Sequence, residues 1–313
     1  MSVAQDLGFG VWRIELLDKK SPYPVSGYLV LDEEKWVVET GPSAAHGQIV
    51  AALEEAKVGL NEITGILVTH VHLDHSGGAG LLAQACPNAK VYVHPRGARH
   101  LVDPSKLESS ARAVYGELFD SLFAPILPIP KSKVVVAEPG GKVRLGKDRE
   151  LHFFDAPGHC LHHLFAWDPK SRGIFSGDAA GMFYAHAWEQ YHAALCLPAS
   201  TPTQFDPKAM AQTAQEMLDL DPKRIYYTHF GHTEEAAEML KEMLSWLPLY
   251  GERAVELYKK EQSEAKVANF MYQEIWKVAQ ARGIKDESAL PGLHFDCNLN
   301  AQGVAAYVKF LER

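Results

Sequence analysis

The first two-thirds of the chain alternate short apolar runs with segments of helical spacing. Residues 11–16 alternate apolar and polar positions, as a half-buried strand does, and residues 63–68 form an almost continuous apolar run, typical of a buried strand. Apolar positions three to four residues apart predict a helix over residues 47–56. Such an alternation predicts a layered α/β or α+β domain. Further strands are predicted at residues 28–31, 36–38, 90–93, 134–136, 151–154, 164–167, 173–176 and 224–228, and further helices at 103–123 and 207–220.

After residue 232 the pattern changes to helical spacing alone. Ala236, Leu240 and Leu247 share one helical face, and Thr233 is placed to cap that helix. Pro248 and Gly251 interrupt the pattern, and two further apolar stripes, at residues 267–278 and 302–311, predict two more helices. The pattern therefore predicts a layered domain over residues 1–232 and a helical subdomain over residues 233–313.

Composition narrows the class of protein. The 313 residues are 47% apolar and 22% charged, as in soluble globular proteins, and the net charge of −8 argues against binding to nucleic acid. No apolar run is long enough to span a membrane, and residues 1–10 lack the features of a signal peptide, so we expect a cytoplasmic protein. The four cysteines form no CxxC pair and are expected to be buried thiols. The unusual count is fifteen histidines.

Four ligand-type side chains lie within six residues, directly after the apolar run 63–68. They are His70, His72, Asp74 and His75. His70 and His72 are two residues apart, so in an extended segment they point to the same side. Protonated histidines would repel one another and a desolvated carboxylate needs a partner, so the cluster needs an opposing charge, which a divalent cation supplies.

Three more ligand-type residues follow predicted strands in the same way. His159 follows a Pro-Gly turn after residues 151–154, Asp178 follows residues 173–176, and His229 follows residues 224–228. Because strand ends that meet at one edge of a layered sheet are where sites form, we expect these side chains to converge.

These segments, HVHLDH at His70–His75, PGH at His159, SGD at Asp178 and THF at His229, resemble in this order the metallo-β-lactamase-fold hydrolases. The resemblance covers about residues 10–232. It implies an αββα sandwich, here with an all-α C-terminal subdomain, and a site for two divalent metal ions at one edge of the sheets. It assigns His70, His72 and His159 to the first ion, Asp74, His75 and His229 to the second, and Asp178 to a bridge between them.

The chemistry implied by the resemblance is hydrolysis. Two divalent ions about 3.5–4 Å apart share a hydroxide of lowered pKa, which attacks a carbonyl or phosphoryl group. The resemblance implies that Asp74 is a catalytic residue, which we expect to orient the hydroxide or take its proton. Zinc suits a histidine-rich set without sulfur, and iron and manganese also fit it. His72 favours a hydrolase, because the diiron redox members of this fold carry a carboxylate there.

Other residues are expected to assist. We expect His163 to hydrogen-bond a ligand carboxylate such as Asp178. Residues 181–203 begin just after Asp178 and are rich in aromatic side chains, so they are expected either to line the substrate pocket or to pack the junction between the subdomains. The pocket candidates are Tyr184, His186, Trp188 and Tyr191.

The leading hypothesis is a hydrolase acting on a small ester, thioester or lactone. Glyoxalase II and the quinolone-signal response thioesterase are similar in layout, with a helical tail after the lactamase-like domain. The alternatives are a phosphodiesterase, a diiron oxidoreductase and a metal-binding regulatory protein with little turnover. The expected partner is a small-molecule substrate, with no nucleic acid and no membrane, and the helical tail serves either the rim of the site or a homodimer.

Overall fold

The computed structural model describes residues 2–17, 24–200 and 203–312, and it contains the predicted succession of strands and helices. The strands are β1 (Ala4–Asp6), β2 (Val11–Glu15), β3 (Ser26–Leu31), β4 (Lys35–Val38), β5 (Ile63–Leu67), β6 (Lys90–Val93), β7 (Val134–Val136), β8 (Lys142–Gly146), β9 (Arg149–Asp155), β10 (Leu164–Asp168), β11 (Gly173–Gly177), β12 (Met182–Phe183), β13 (Cys196–Leu197), β14 (Arg224–Tyr227) and β15 (His232–Thr233). The helices are α1 (His46–Glu55), α2 (Leu73–Ser76), α3 (Ala79–Ala85), α4 (Ala98–Val102), α5 (Ser105–Tyr115), α6 (Leu118–Phe123), α7 (Ala185–Tyr191), α8 (Pro207–Asp219), α9 (Ala236–Pro248), α10 (Ala254–Glu261), α11 (Glu264–Ala281) and α12 (Leu293–Leu311).

The chain divides into two compact units. The first comprises Met1–Asp155 and His162–Gly177, and the second comprises Ala156–Leu161 and Asp178–Arg313. The predicted domain boundary after residue 232 falls inside the second unit and stays a prediction. The helical C-terminal region is confirmed, because the elements from Ala236 to Leu311 are helical and include the long helices α11 and α12.

The first unit contains a seven-stranded sheet whose strands follow one another in sequence order, β1 to β7. Strands β1 to β4 are antiparallel, whereas β4, β5, β6 and β7 are parallel, with helices between them as parallel pairing requires. Val38 at the end of β4 lies opposite Leu67 at the end of β5. The residues that leave these two strands therefore start from the same edge of the sheet.

Both faces of the central strands in this sheet are buried, which explains their nearly continuous apolar sequences. One face packs against α1 and α3, through the buried residues Leu29, Val37, Ile66, Val91, Ile49, Leu53 and Leu82. The other face meets the antiparallel strands β8 to β11. There Tyr28 contacts Phe175 with ring centroids 5.6 Å apart, and Tyr92 contacts Phe153 at 6.4 Å.

A buried ion pair joins the antiparallel strands of the first unit. Arg149 of β9 donates from Nη2 to Asp168 Oδ2 of β10 at 2.6 Å, and from Nη1 to the Phe9 carbonyl at 2.8 Å. Both side chains are fully buried. The Ser171 hydroxyl also donates to Asp168. A buried guanidinium must be compensated in this way, since an isolated charge in the interior is costly.

In the second unit, helix α12 begins nine residues earlier than the predicted stripe at 302–311. The added turns contain Asp296 and Asn300, which are buried polar residues that interrupt the apolar stripe. The expected cap of α9 is wrong. The helix begins after Glu235, and the Thr233 hydroxyl accepts from the Glu235 N–H just before it.

The helix breaks also differ from the prediction at two places. Pro248 and Gly251 do not end the helical path, because Leu249–Arg253 forms a π-helical stretch leading into α10. The predicted helix over residues 103–123 is broken at Gly116, which has a φ of +54° and separates α5 from α6. Within the described residues, no helix has both the length and the hydropathy required to cross a membrane.

The buried ion pair gives a stability prediction. Arg149→Met should lower the free energy of unfolding by about 3–5 kcal/mol, because Asp168 is left as a buried charge without its main partner. Urea unfolding measures the change. The control is Lys266→Met, since Lys266 is 62% exposed and pairs with Glu261 at the surface. That change should cost less than about 1 kcal/mol. Equal effects of the two substitutions would contradict the argument.

Candidate metal centre

The HVHLDH segment leaves the sheet at the carboxyl end of β5. His70 follows two buried residues after Leu67, and the chain stays extended as far as His72, which has φ −63° and ψ 146°. Helix α2 then begins, with Asp74 in its first turn, where a negative charge is favourable. The local sequence therefore places two histidines on an extended segment and the next two ligand-type residues on a helical turn.

The turn that leaves β4 holds this segment in place. The backbone N–H and hydroxyl of Thr40 each donate to the His75 carbonyl at 2.9 Å. The Ser43 hydroxyl donates to the Gly77 carbonyl at 2.9 Å, and the Gly78 N–H donates to the Gly41 carbonyl at 2.9 Å. Because β4 and β5 end side by side, this turn is in reach of the histidine segment without a long connection.

Glu39 in the same turn fixes both ends of the segment. Its Oε1 accepts from the Thr69 N–H at 2.6 Å, and its Oε2 is hydrogen-bonded to His75 Nδ1. Glu39 adopts a φ of +63°, which is uncommon for a residue with a side chain. A carboxylate only accepts, so His75 Nδ1 carries the proton and Nε2 keeps its lone pair. That Nε2 lies 3.7 Å from Asp74 Oδ2.

His70 and His72 direct ring nitrogens at each other. The distance from His70 Nε2 to His72 Nδ1 is 2.9 Å, and His70 Nδ1 lies 3.1 Å from the Thr69 hydroxyl. His163, which is fully buried, stacks on the His70 ring with centroids 4.6 Å apart. Gly177 leaves room for this stack, because a Cβ there would lie 2.6 Å from His163 Nε2. The expected bond from His163 to Asp178 stays a prediction.

In the second unit, His159 follows a tight Pro-Gly turn. Gly158 has a φ of +127°, and a Cβ there would lie 2.5 Å from the backbone of Met210, so only glycine fits this position. The Gly158 carbonyl accepts from Asp206, the N-cap residue of α8. His159 Nδ1 donates to the Ala199 carbonyl at 2.8 Å. As with His75, the remaining ring nitrogen, Nε2, keeps its lone pair.

Asp178 presents its two oxygens to two different histidines. Oδ2 lies 3.4 Å from His159 Nε2, and Oδ1 lies 3.5 Å from His229 Nε2. All three side chains are buried. Two ligands of one tetrahedral zinc ion, each about 2.0–2.1 Å from it, lie about 3.3 Å apart. The spacing and the donor types therefore fit a carboxylate that serves two cations, one at each oxygen.

One cysteine sulfur lies close to these donors. Cys160 is buried beside His159, and its Sγ lies within 4.8 Å of a His159 ring nitrogen. The other three cysteines, Cys86, Cys196 and Cys297, are also buried and free, as expected from the sequence. Burial raises the pKa of Cys86 to about 11 and of Cys196 to about 12, so these two remain thiols near neutral pH.

Tyr184, a predicted pocket residue, is fully buried and bonded within the second unit. Its hydroxyl donates to Asp296 Oδ2 on α12, and its ring stacks on Phe230 with centroids 4.8 Å apart. Burial raises the pKa of Asp296 to about 7, although Tyr184 and His229 favour its charged form. Burial also raises the pKa of Tyr184, so it remains a phenol donor.

The other pocket candidates lie on α7. Tyr191 donates from its hydroxyl to Asp286 Oδ2 at 3.4 Å, and the Trp188 ring meets His192 edge-on with centroids 6.2 Å apart. His186 Nδ1 is buried and has no hydrogen-bond partner among the described residues. Residues 201 and 202 of the predicted segment 181–203 lie outside the described residues. The role of this segment in a pocket stays a prediction.

Three residues near the predicted ligands were not singled out from the sequence. Glu39 stands in a Glu-Thr-Gly turn after an apolar strand, and only the pairing of β4 with β5 brings it to His75. Asp296 and Asn300 lie far along the chain from any ligand motif. Their signal was the interruption of an apolar helical stripe by two polar residues one turn apart.

The sequence matches the model of a known protein family over most of its length. The model of the metallo-beta-lactamase superfamily matches residues 21–229. Among curated proteins, the chain is 23% identical over 179 residues to the cytoplasmic hydroxyacylglutathione hydrolase of Arabidopsis thaliana. It is 43% identical over 58 residues to an exodeoxyribonuclease of Bacillus anthracis. These alignments cover 54% and 18% of this chain, and the chain spans only 56% and 21% of the two relatives.

Solved structures share the fold over more of the chain. A metallo-beta-lactamase family protein of Thermus thermophilus has a TM-score of 0.62 and 17% identity, with 97% of this chain and 94% of that one covered. An archaeal superfamily protein of Sulfolobus tokodaii has a TM-score of 0.61 and 24% identity, covering 75% and 85%. A rubredoxin oxygen:oxidoreductase of Desulfovibrio gigas has a TM-score of 0.56 and 16% identity, covering 79% and 62%. At these identities the likeness shows the fold alone.

The contact between Glu39 and His75 predicts an effect on metal affinity. Both oxygens of the Glu39 carboxylate accept a hydrogen bond, one from the Thr69 N–H and one from His75 Nδ1. In Glu39→Gln one of these oxygens is replaced by an amide NH₂, which is a donor and therefore cannot bond to either of these two donors. We expect zinc affinity to fall about ten- to a hundred-fold, measured by competition with a chelator. Glu34→Gln, an exposed change in the hairpin before β4, should leave the affinity unchanged. Equal affinities of Glu39→Gln and wild type would contradict the prediction.

The raised pKa of Asp296 predicts a pH dependence of stability. Between its ordinary value of 3.8 and about 7, the folded chain holds this proton more tightly than the unfolded chain. Stability should therefore fall as the pH rises from about 4 to about 7, by on the order of 2–4 kcal/mol. Asp296→Asn keeps the acceptor for Tyr184 and should remove this fall. Urea unfolding of the metal-free proteins at several pH values measures the fall in stability. Identical dependence on pH in wild type and Asp296→Asn would refute the prediction.

Proposed function

Because the chain belongs to the metallo-β-lactamase superfamily, we propose that it is a metal-dependent hydrolase with a site for two divalent ions. The observation that carries the proposal is the buried carboxylate of Asp178, whose two oxygens face His159 and His229 at 3.4 and 3.5 Å. Two histidines tied to opposite oxygens of one carboxylate suit two cations better than one. The proposal keeps the ligand assignment that the sequence motifs imply.

As the resemblance of the sequence motifs implies, we assign His70, His72 and His159 to the first ion and Asp74, His75 and His229 to the second. Asp178 serves both ions. The tautomers fixed by Glu39 and by the Ala199 carbonyl support this grouping, because they leave lone pairs on His75 Nε2 and His159 Nε2.

When bound, two divalent ions supply a water molecule of lowered pKa and polarise the group that is attacked. The protein's own contribution is to hold the ligands and handle the proton. Asp74 is half-buried, with its side chain 29% exposed, whereas His75 is fully buried. We propose that Asp74 combines ligation with proton acceptance, because its carboxylate is more exposed to solvent than His75 or His229. No serine or cysteine nucleophile is required.

We propose a small ester, thioester or lactone as the substrate class. The hydroxyacylglutathione hydrolase match supports a hydrolase, and the nitrogen–oxygen donor set suits zinc, with iron and manganese as alternatives. The diiron oxidoreductases of this fold are the second candidate, supported by the likeness to the oxidoreductase of Desulfovibrio gigas. Purified protein that is colourless and contains zinc would remove that candidate, whereas an iron-dependent absorption spectrum would favour it.

The proposed bridge gives a stoichiometric prediction. Asp178→Ala should reduce the metal content from two ions per chain to one or none and abolish hydrolysis across a panel of esters, thioesters and lactones. The matched control is Asp219→Ala, which removes an exposed carboxylate at the end of α8. The control should keep two ions and full activity. Metal analysis of dialysed protein decides the point, and two ions retained in Asp178→Ala would sink the assignment.

A further inference from the structure

The helical C-terminal region is bonded to the stretch of chain that follows Asp178. Asp296 and Asn300 lie one turn apart on α12, on the same face of the helix, and are 4% and 2% exposed. Asp296 accepts from Tyr184, and Asn300 is bonded to Ser200. These two contacts hold residues on either side of β13. Buried polar atoms are costly unless they are hydrogen-bonded, and these contacts satisfy Asp296 Oδ2 and Asn300 Oδ1, whereas Asn300 Nδ2 has no partner among the described residues.

Asn300 and Ser200 are joined by several hydrogen bonds. Its Oδ1 accepts from the Ser200 backbone N–H at 2.7 Å and lies 2.9 Å from the Ser200 hydroxyl. The same hydroxyl lies 3.2 Å from the Asn300 carbonyl. Because the Ser200 N–H only donates, the atom of Asn300 that faces it must be the amide oxygen. Both residues are buried, so solvent does not compete for these bonds.

The Ser200 N–H and the Ala199 carbonyl belong to the same peptide group. A peptide group is planar, so the direction of its N–H fixes the direction of its C=O. Asn300 holds the N–H end, and the carbonyl end accepts from His159 Nδ1 at 2.8 Å. A bond at the N–H also polarises the group and strengthens the carbonyl as an acceptor. The rigid Ala199–Ser200 peptide therefore links Asn300 to His159, and we call this pair of hydrogen bonds and the peptide between them the relay.

We propose that Asn300 of α12 is a positioning residue for His159, acting through the Ala199–Ser200 peptide. The relay holds His159 in the tautomer with the proton on Nδ1 and keeps Nε2 aimed at Asp178 Oδ2, 3.4 Å away. This inference rests on the proposed metal site for its consequence, and on the hydrogen bonds alone for its mechanism. It gives the helical region a role in metal binding that differs from bounding a pocket or forming a dimer.

The test compares three variants at two positions of α12. Asn300→Leu keeps the size of the side chain and removes the acceptor. Val304→Ala, one turn further along, removes buried volume and no hydrogen bond. Both should lower the melting temperature. Asn300→Asp retains the oxygen that Ser200 requires and is the conservative variant.

Zinc affinity, measured with competing chelators, separates positioning from packing. In Asn300→Leu the affinity for the more affected of the two ions should fall about ten-fold, and the affinity for the other ion should stay within about two-fold of the wild-type value. Val304→Ala should leave both affinities unchanged, and Asn300→Asp should bind at least as tightly as wild type. Equal affinities of Asn300→Leu and Val304→Ala, or loss of binding in Asn300→Asp, would overturn the proposal.

A second measurement needs no variant and no metal. In the metal-free wild-type protein, ¹⁵N chemical shifts should show that the neutral His159 ring is protonated at Nδ1 and unprotonated at Nε2. The opposite tautomer would refute the relay. If the shifts agree but wild type binds no pair of ions, the proposed function fails while the relay stands, so the two failures are distinguishable.

Discussion

A histidine presents a lone pair to a cation only when its proton is held on the other ring nitrogen. Two histidines of this chain are fixed in that way by buried acceptors. Glu39 takes the Nδ1 proton of His75, and the Ala199 carbonyl takes that of His159. Each acceptor is in turn held by a neighbouring part of the structure. The β4–β5 pairing brings Glu39 to its place, and α12 orients the peptide that contains the Ala199 carbonyl.

The fold positions each acceptor by ordinary packing. The parallel strands β4 and β5 are buried on both faces, so their ends are rigid and lie side by side. In the second unit, the Gly158 turn is bonded to the start of α8, which fixes where His159 leaves the chain. Side chains that have to meet a metal with little tolerance are therefore attached to strand ends and helix starts, and less to free loops.

Much of this arrangement was predictable from the sequence. Nearly every predicted strand is present within two residues of its bounds, because half-buried and fully buried strands leave distinct apolar patterns. The fold class was predicted correctly, since the motifs and their order are specific to the superfamily. The ligand roles of His70, His72, His159 and Asp178 remain proposals, supported by distances within each unit.

The parts that escaped prediction have two physical causes, long-range contacts and short elements. Glu39 acts on a residue 36 positions away, and Asn300 acts on one 100 positions away, through contacts that depend on tertiary packing. In the sequence, a buried polar residue appears only as an interruption of the helical pattern of apolar residues. That is why the first turns of α12 were missed at the place where Asp296 and Asn300 lie. Short elements such as β12 and β13, with two residues each, carry too little pattern to be recognised.

We propose that this chain holds two metal ions with nitrogen and oxygen ligands and that Asp178 binds both of them. The most direct test is a crystal structure of the zinc-loaded protein, with anomalous data collected at the zinc edge. We expect two anomalous peaks, each with histidine nitrogens about 2.0–2.1 Å away, and one oxygen of Asp178 at each ion. A single peak, or a cysteine sulfur such as that of Cys160 bound in place of a histidine, would contradict it.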